Sequence, residues 1–134
     1  MADAVTSTTI VDDDRKAVIQ FTNTSDGNGE SAVTKVDVSA LATRKSDGAT
    51  CTGCKLAKLS YTTFGMSVKL LWDATTDTIC LDLNENYSDQ LDFTEFGGIQ
   101  NTSGSGKTGD INLTTTGHAS GDSYVIVLTV IKTF

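Results

Sequence analysis

The residues best able to do chemistry in this chain are three cysteines, one histidine and a scatter of carboxylates. Cys51-x-x-Cys54 and Cys80 offer sulfur ligands, and His118 is the only imidazole that could complete a set. Structural zinc takes four ligands, normally as two close pairs, and here the second pair is reduced to one cysteine. A redox-active C-x-x-C opens a helix after a strand, whereas this one precedes a strand-like run. The expected state is three unligated thiols, with a local disulfide and a metal site as the alternatives. His118 stands in a glycine-flanked turn near Ser120, Asp122 and Ser123. A catalytic base needs an oriented nucleophile and a group that holds its tautomer. No motif arranges these side chains that way, so His118 reads as a surface turn residue.

The carboxylates fare no better. Asp82, Glu85, Asp89, Asp92 and Glu95 could supply the paired acids of a hydrolase, but their spacing equally fits the wet faces and turns of two strands. Asp26, Asn28 and Glu30 alternate with Gly27 and Gly29 like a fragment of a calcium loop, without the spacing or flanking helices of an EF-hand. Gly106-Lys107-Thr108 resembles the end of a phosphate-binding loop. That motif needs a glycine where Asn101 stands and a helix afterwards, and a strand-like run follows instead. No catalytic residue, cofactor or metal is assigned.

The elements that would have to position any site are strands. Ser123 to Ile131 carries Tyr124, Ile126, Leu128 and Val130 on one face and Val125, Val127 and Ile131 on the other. An element apolar on both faces is expected to be central and covered on both sides. Ile111, Leu113 and Thr115 alternate with polar residues just before it, and Gly117 to Asp122 joins the two runs as the turn of an expected terminal hairpin. Ala17 to Thr22, Thr34 to Val38, Leu56 to Thr62, Met66 to Trp72, Thr78 to Leu83 and Leu91 to Phe96 make eight strands in all. Ala57, Leu59 and Tyr61 should face in, as should Val68, Leu70 and Trp72. Ile79, Leu81 and Leu83 form one side of their strand and Cys80 and Asp82 the other. Asp73 to Asp77 reads as the connection of a hairpin. No apolar set repeats at helical period over three turns, and Ala40 to Lys45 offers one turn at most. The fold class is all-β, a sandwich or jelly roll of about eight mostly antiparallel strands.

Length and composition set further limits. The 134 residues suffice for one domain with a core, here residues 15–134. Residues 1–14 end in three aspartates and read as a flexible N-terminal arm. Seventeen acidic residues against ten basic ones give a formal charge of -7, which disfavours contact with nucleic acid and with anionic membrane surfaces. No signal peptide or bilayer-spanning segment is expected. Gly97 to Gly109 is the loop that looks most flexible, and loops of that length in compact domains commonly bind something. The sequons at Asn23, Asn86, Asn101 and Asn112 are expected to carry nothing.

Several strings together, DDRKAVIQFT, ESAVTKVDVSAL, LLWDATTD, YSDQLDFTEFGG and GSGKTGDINLTTTGHASGDSYVIVLTVIK, resemble small virion structural proteins of marine tailed bacteriophages. The resemblance covers nearly the whole chain. It implies a particle component without enzymatic activity and carries over no functional residue. The expectation is a decoration or cement protein on the outer surface of the capsid, bound to the major capsid protein as a homo-oligomer, preferably a trimer, and made in the host cytoplasm. A head–tail adaptor, tail or fibre-associated component is the alternative, and a carbohydrate-binding module using Trp72, Tyr61 and Tyr87 is another. Ile10 and Val11 in the arm, with Gly98, Ile99, Asn101 and Lys107 in the glycine-rich loop, are the expected capsid or oligomer contacts.

Overall fold

The structure is a computed structural model that describes residues 4–27, 29–117 and 119–134. In chain order its strands are β1 (Ala4–Asp12), β2 (Lys16–Thr24), β3 (Val33–Val36), β4 (Gly53–Phe64), β5 (Ser67–Trp72), β6 (Thr78–Leu83), β7 (Ser88–Asp92), β8 (Ile111–Thr116) and β9 (Ser123–Thr133). They form two antiparallel sheets, a five-stranded one ordered β1-β2-β9-β4-β7 and a four-stranded one ordered β3-β8-β5-β6. Short 3-10 turns occupy Val38–Ala40 and Thr94–Phe96. Alternate residues of both sheets bury against each other in one apolar cluster, so the domain is a β-sandwich.

β9 is the middle strand of the larger sheet, paired with β2 along one side and β4 along the other. Its inner row, Tyr124, Ile126, Leu128 and Val130, is fully buried. Its other row is not. Val125 is 41% exposed, and Val127 and Ile131 are half-buried. The expectation of cover on both faces therefore fails. Thr22 and Thr62 flank Val125 in register, Gln20 and Ser60 flank Val127, and Val18 and Lys58 flank Thr129, so β-branched and polar neighbours shield the outer row only in part.

The expected terminal hairpin also fails. β8 pairs with β3 and β5 in the opposite sheet, and residues 117–122 carry the chain from one sheet to the other. Ile111, Leu113 and Thr115 bury their side chains inward, as does the inner row of β9. Two strands whose best apolar faces must meet stack across a sandwich rather than lie side by side. The hairpin expected over Met66 to Leu83 does form, as β5 and β6.

A β-bulge in that hairpin reverses the facing of β6. Leu70 opposes Leu81 while Leu71 opposes Ile79, leaving Cys80 as the extra residue. Strict alternation puts Ile79, Leu81 and Leu83 on one side. The bulge instead leaves Ile79 52% exposed with Leu83 buried, and Cys80 packs partly against the core. A second bulge, in β4 at Ala57, lets Leu56 and Ala57 both face inward before Leu59 and Tyr61 resume the alternation. Further along, Leu91 closes β7 against Leu59, and Thr94–Phe96 is the 3-10 turn rather than the strand expected there.

The largest departure is at the N-terminus, where Ala4–Asp12 is an edge strand rather than an arm. The aspartate run explains it. Asp13 makes the β1–β2 turn, its Oδ1 accepting the backbone N–H groups of Arg15 (2.9 Å) and Lys16 (2.8 Å). Those two donors hold its carboxyl below the usual aspartate range. Asp14 accepts the N–H of Lys45 at 3.0 Å. Asp12 pairs with Lys132 at 2.7 Å, and the Lys132 ammonium, its side chain fully buried, also donates to the carbonyls of Asp13 (2.8 Å) and Ala42 (2.7 Å). Each of the three ammonium protons thus has an acceptor, and one buried cation joins the β1–β2 turn, the loop after Val38–Ala40 and the end of β9.

Two outcomes follow from this arrangement. Lys132→Ala leaves Asp12 without its cation and two carbonyls without their donor, and is expected to lower unfolding free energy by about 3 kcal/mol or more in urea titrations. Leu128→Asp is expected to abolish cooperative folding, whereas Val127→Asp, on the half-open row, should still melt cooperatively. Equal loss of folding in both variants would contradict the facing described for β9.

Candidate functional site

The residues expected to make contacts fall into two groups at one end of the sandwich. Ile10 occupies the register break between Thr9 and Val11 in β1 and is 54% exposed. Val11 is half-buried opposite Val18. Gly98, Ile99, Asn101 and Lys107 lie together beyond the start of β4. Three strand spacings separate β1 from β4 in the sheet order, a distance of about 14 Å. The two groups therefore share an end of the fold without forming one contact surface.

The glycine-rich loop is tied down along its length. Ile99 exchanges both backbone hydrogen bonds with Leu56, at 2.8 and 3.1 Å, and packs against the core. Thr75 N–H donates to the Ser105 carbonyl at 3.2 Å, and Thr108 N–H to the Asp73 carbonyl at 3.1 Å. The Thr108 hydroxyl donates to Asp73 Oδ2 at 2.7 Å. Two glycines make the close approaches possible. Gly98 has φ +98°, and a Cβ there would stand 3.1 Å from the Leu56 carbonyl oxygen. Gly109 has φ +88°, and a Cβ there would stand 2.5 Å from the Thr52 carbonyl oxygen. Sequence composition signals glycine as looseness. Here it signals backbone packed on backbone.

Where this loop rejoins the sandwich, it closes over two of the thiols. Cys51 Sγ lies 3.1 Å from the Gly53 carbonyl and Cys54 Sγ 3.5 Å from that of Gly109. Cys51 and Cys54 are buried, Cys80 is half-buried, and all three are free thiols. Burial pushes the Cys54 thiol well above the usual thiol range, helped by Cys51, Cys80 and Asp110 nearby. Burial pushes Cys80 up to about 12. Among the described residues no cluster of three or more metal-ligating side chains is assembled. His118 and Asn28, and with Asn28 part of the calcium-like fragment, lie outside the described residues.

The other end of the sandwich holds a buried polar cluster that sequence reasoning missed. Glu30 is buried, accepts from the Asn23 amide at 2.8 Å and from the Tyr124 hydroxyl, and forms an ion pair with Lys35. Glu30 backbone N–H donates to the Thr115 hydroxyl at 3.0 Å, and Thr115 N–H returns the bond to the Glu30 carbonyl at 3.0 Å. This is structural wiring between the sheets, with no group left to act on a substrate. The only sequence signal for it is Glu30 itself, an acid between a glycine turn and a strand. Of the acids weighed and set aside as a hydrolase pair, Asp92 caps the Thr94 turn and faces Lys58 at 4.0 Å. The sugar platform is not assembled either. Trp72 is fully buried, as expected for a core tryptophan, Tyr61 is buried and Tyr87 is 51% exposed.

Comparison with protein-family models, curated proteins and solved structures finds no match for the chain.

Thiol chemistry checks the packing described above. At pH 8.5 the raised pKa leaves Cys80 with on the order of a thousandth of its sulfur as thiolate. Alkylation of native protein should therefore be slow at Cys54 and Cys80 and rapid once urea exposes them. Both thiols have folded pKa values raised above the unfolded ones. Their neutral forms are accommodated below pH about 8.5, and stability is lost as pH rises from there towards 12. Thermal midpoints should fall across that interval, and the fall should shrink in Cys80→Ser.

Proposed function

We propose that this chain is a virion structural protein of a tailed bacteriophage, a decoration protein that binds the major capsid protein on the outside of the head as a homo-oligomer. The family resemblance across the chain supports the virion setting. One observation carries the building-block role. β1 is a nine-residue edge strand interrupted by a bulge at Ile10, near its end. From Ala4 to Thr9 its register with β2 is unbroken. The strand carries neither lysine nor proline, and Val5 is 43% exposed. The other edges, β3, β6 and β7, have four, six and five residues, and pairing in β3 and β6 is interrupted by a bulge. A regular, uncharged run at a sheet edge, such as residues 4–9, is a template for pairing with another chain.

Pairing the β1 edge of one copy with a different edge of the next, such as β7 at the far side of the same sheet, covers β1 through a head-to-tail contact that can close into a ring. A closed trimer matched to a local three-fold axis turns several weak contacts into one durable attachment. The net charge of -7 suits an exterior position better than one facing packaged DNA.

Copy number tests the reading directly. Mass spectrometry of purified particles, normalised to the major capsid protein, should give hundreds of copies per virion, whereas about twelve would indicate a connector at one vertex. Thr8→Lys places a charge on the outer face of β1 opposite Gln20 and is expected to yield monomers with little change in thermal midpoint. An oligomer that survives this change in size-exclusion light scattering would exclude β1 pairing as its interface.

A further inference from the structure

A cavity of about 480 Å³ opens where β4 begins, β9 ends and the glycine-rich loop folds back, and its walls include Thr52, Lys55, Gln100, Asn101, Lys107 and Thr133. The volume is that of a small-molecule site. Its charge runs against the rest of the chain. Acidic residues outnumber basic ones by seventeen to ten, yet two lysines and no aspartate or glutamate line this cavity. Neither Lys55 nor Lys107 forms an ion pair with any described residue, so both ammonium groups are available to a ligand.

One uncharged group is oriented as a donor. Ser103 donates its backbone N–H to Asn101 Oδ1 at 2.9 Å. A backbone nitrogen can only donate, so this bond turns the amide oxygen into the loop and leaves the amide nitrogen as the group Asn101 can offer a ligand. The Thr133 carbonyl is already taken by the N–H of Thr52 at 2.8 Å. The charged groups that remain are two ammonium groups, and the hydroxyls and side-chain amides of Thr52, Thr133, Gln100 and Asn101 can donate beside them. The walls are also held in place without a ligand, by the Leu56–Ile99 pair of hydrogen bonds and by the seating of Gly109 against Thr52. A preformed cavity avoids the ordering cost that binding would otherwise carry.

We infer that this cavity binds a small oxyanion carrying at least two negative charges, a polycarboxylate or a phosphate compound. The ammonium groups of Lys55 and Lys107 neutralise it, and Asn101 and Gln100 orient it through charge-assisted hydrogen bonds. The inference concerns the purified chain and is independent of its place in a virion.

Titrating the isotope-labelled protein with citrate and, separately, with inorganic phosphate at constant ionic strength tests it by amide chemical shifts. Saturable shifts centred on Gln100, Asn101, Lys107 and Gly109 are expected for at least one probe. Saturation by citrate alone assigns the carboxylate class, and saturation by phosphate alone or by both assigns the wider oxyanion class. Lys107→Gln and Lys55→Gln should each weaken binding about tenfold. Lys107 is exposed, so its variant tests the site even where the half-buried Lys55 proves necessary for folding. No saturation at millimolar probe, shifts spread evenly over the other lysines, or unchanged affinity in a folded Lys107→Gln would each overturn the inference.

Discussion

The inner row of β9 is the constraint on which the rest of the fold depends. Tyr124, Ile126, Leu128, Val130 and Lys132 succeed one another along it, all buried. The three middle residues supply dry contact to the opposing sheet, and the two ends supply polar anchorage. Tyr124 donates to a buried glutamate, and Lys132 places its ammonium among one carboxylate and two carbonyls. A strand whose pairing is complete on both sides and whose inner row is closed by satisfied polar groups has one register. A shift by a single residue would send the apolar row to solvent and bury Val125, Val127 and Thr129 in its place.

The two buried ion pairs work on connections rather than on the core. Lys132 holds the β1–β2 turn and the Ala42 loop against the end of the central strand. Glu30 holds the turn after β2 against β8 and β9 in both sheets. Charges buried this way contribute little net stability compared with well-packed apolar replacements, but removing one partner is costly. Their effect is to specify where loops lie. That is also how β1 comes to be a strand, because Asp13 closes its hairpin while Asp12 and Asp14 tie the turn to Lys132 and to the backbone of residues 42–45.

This organisation separates the two surfaces proposed to bind other molecules. The edge of β1 offers main-chain hydrogen-bonding groups in a regular line, suited to another polypeptide. The cavity beside β4 offers cationic and amide donors in a concave setting, suited to a small anion. They lie three strands apart in one sheet, so occupation of one does not obstruct the other. Cys54 lies in the cavity wall and Cys80 packs partly against the core. Raised pKa values at Cys54 and Cys80 keep them protonated and unreactive, as apolar filling would require.

Local periodicity already determined the all-β class, the position of most strands, the central place of β9 and the burial of Trp72, because alternation of apolar side chains is a property of consecutive residues. Glycine content singled out the loop of residues 97–109, with Asn101 and Lys107 in it, as an expected capsid or oligomer contact. Tertiary structure decided what depends on residues far apart in the chain. It sent β8 and β9 to different sheets, since two apolar faces that must bury each other stack across the core. It flipped β6 through a bulge that only the partner strand reveals. The aspartates of residues 12–14 became turn and ion-pair acceptors because Lys132, at the far end of the chain, needed an anion in a dry place. The loop of residues 97–109 became rigid wall rather than loose linker because its glycines lie against the backbone of Thr52, Leu56 and Thr75. Glycine's lack of a side chain permits both outcomes, and only the neighbouring backbone selects between them.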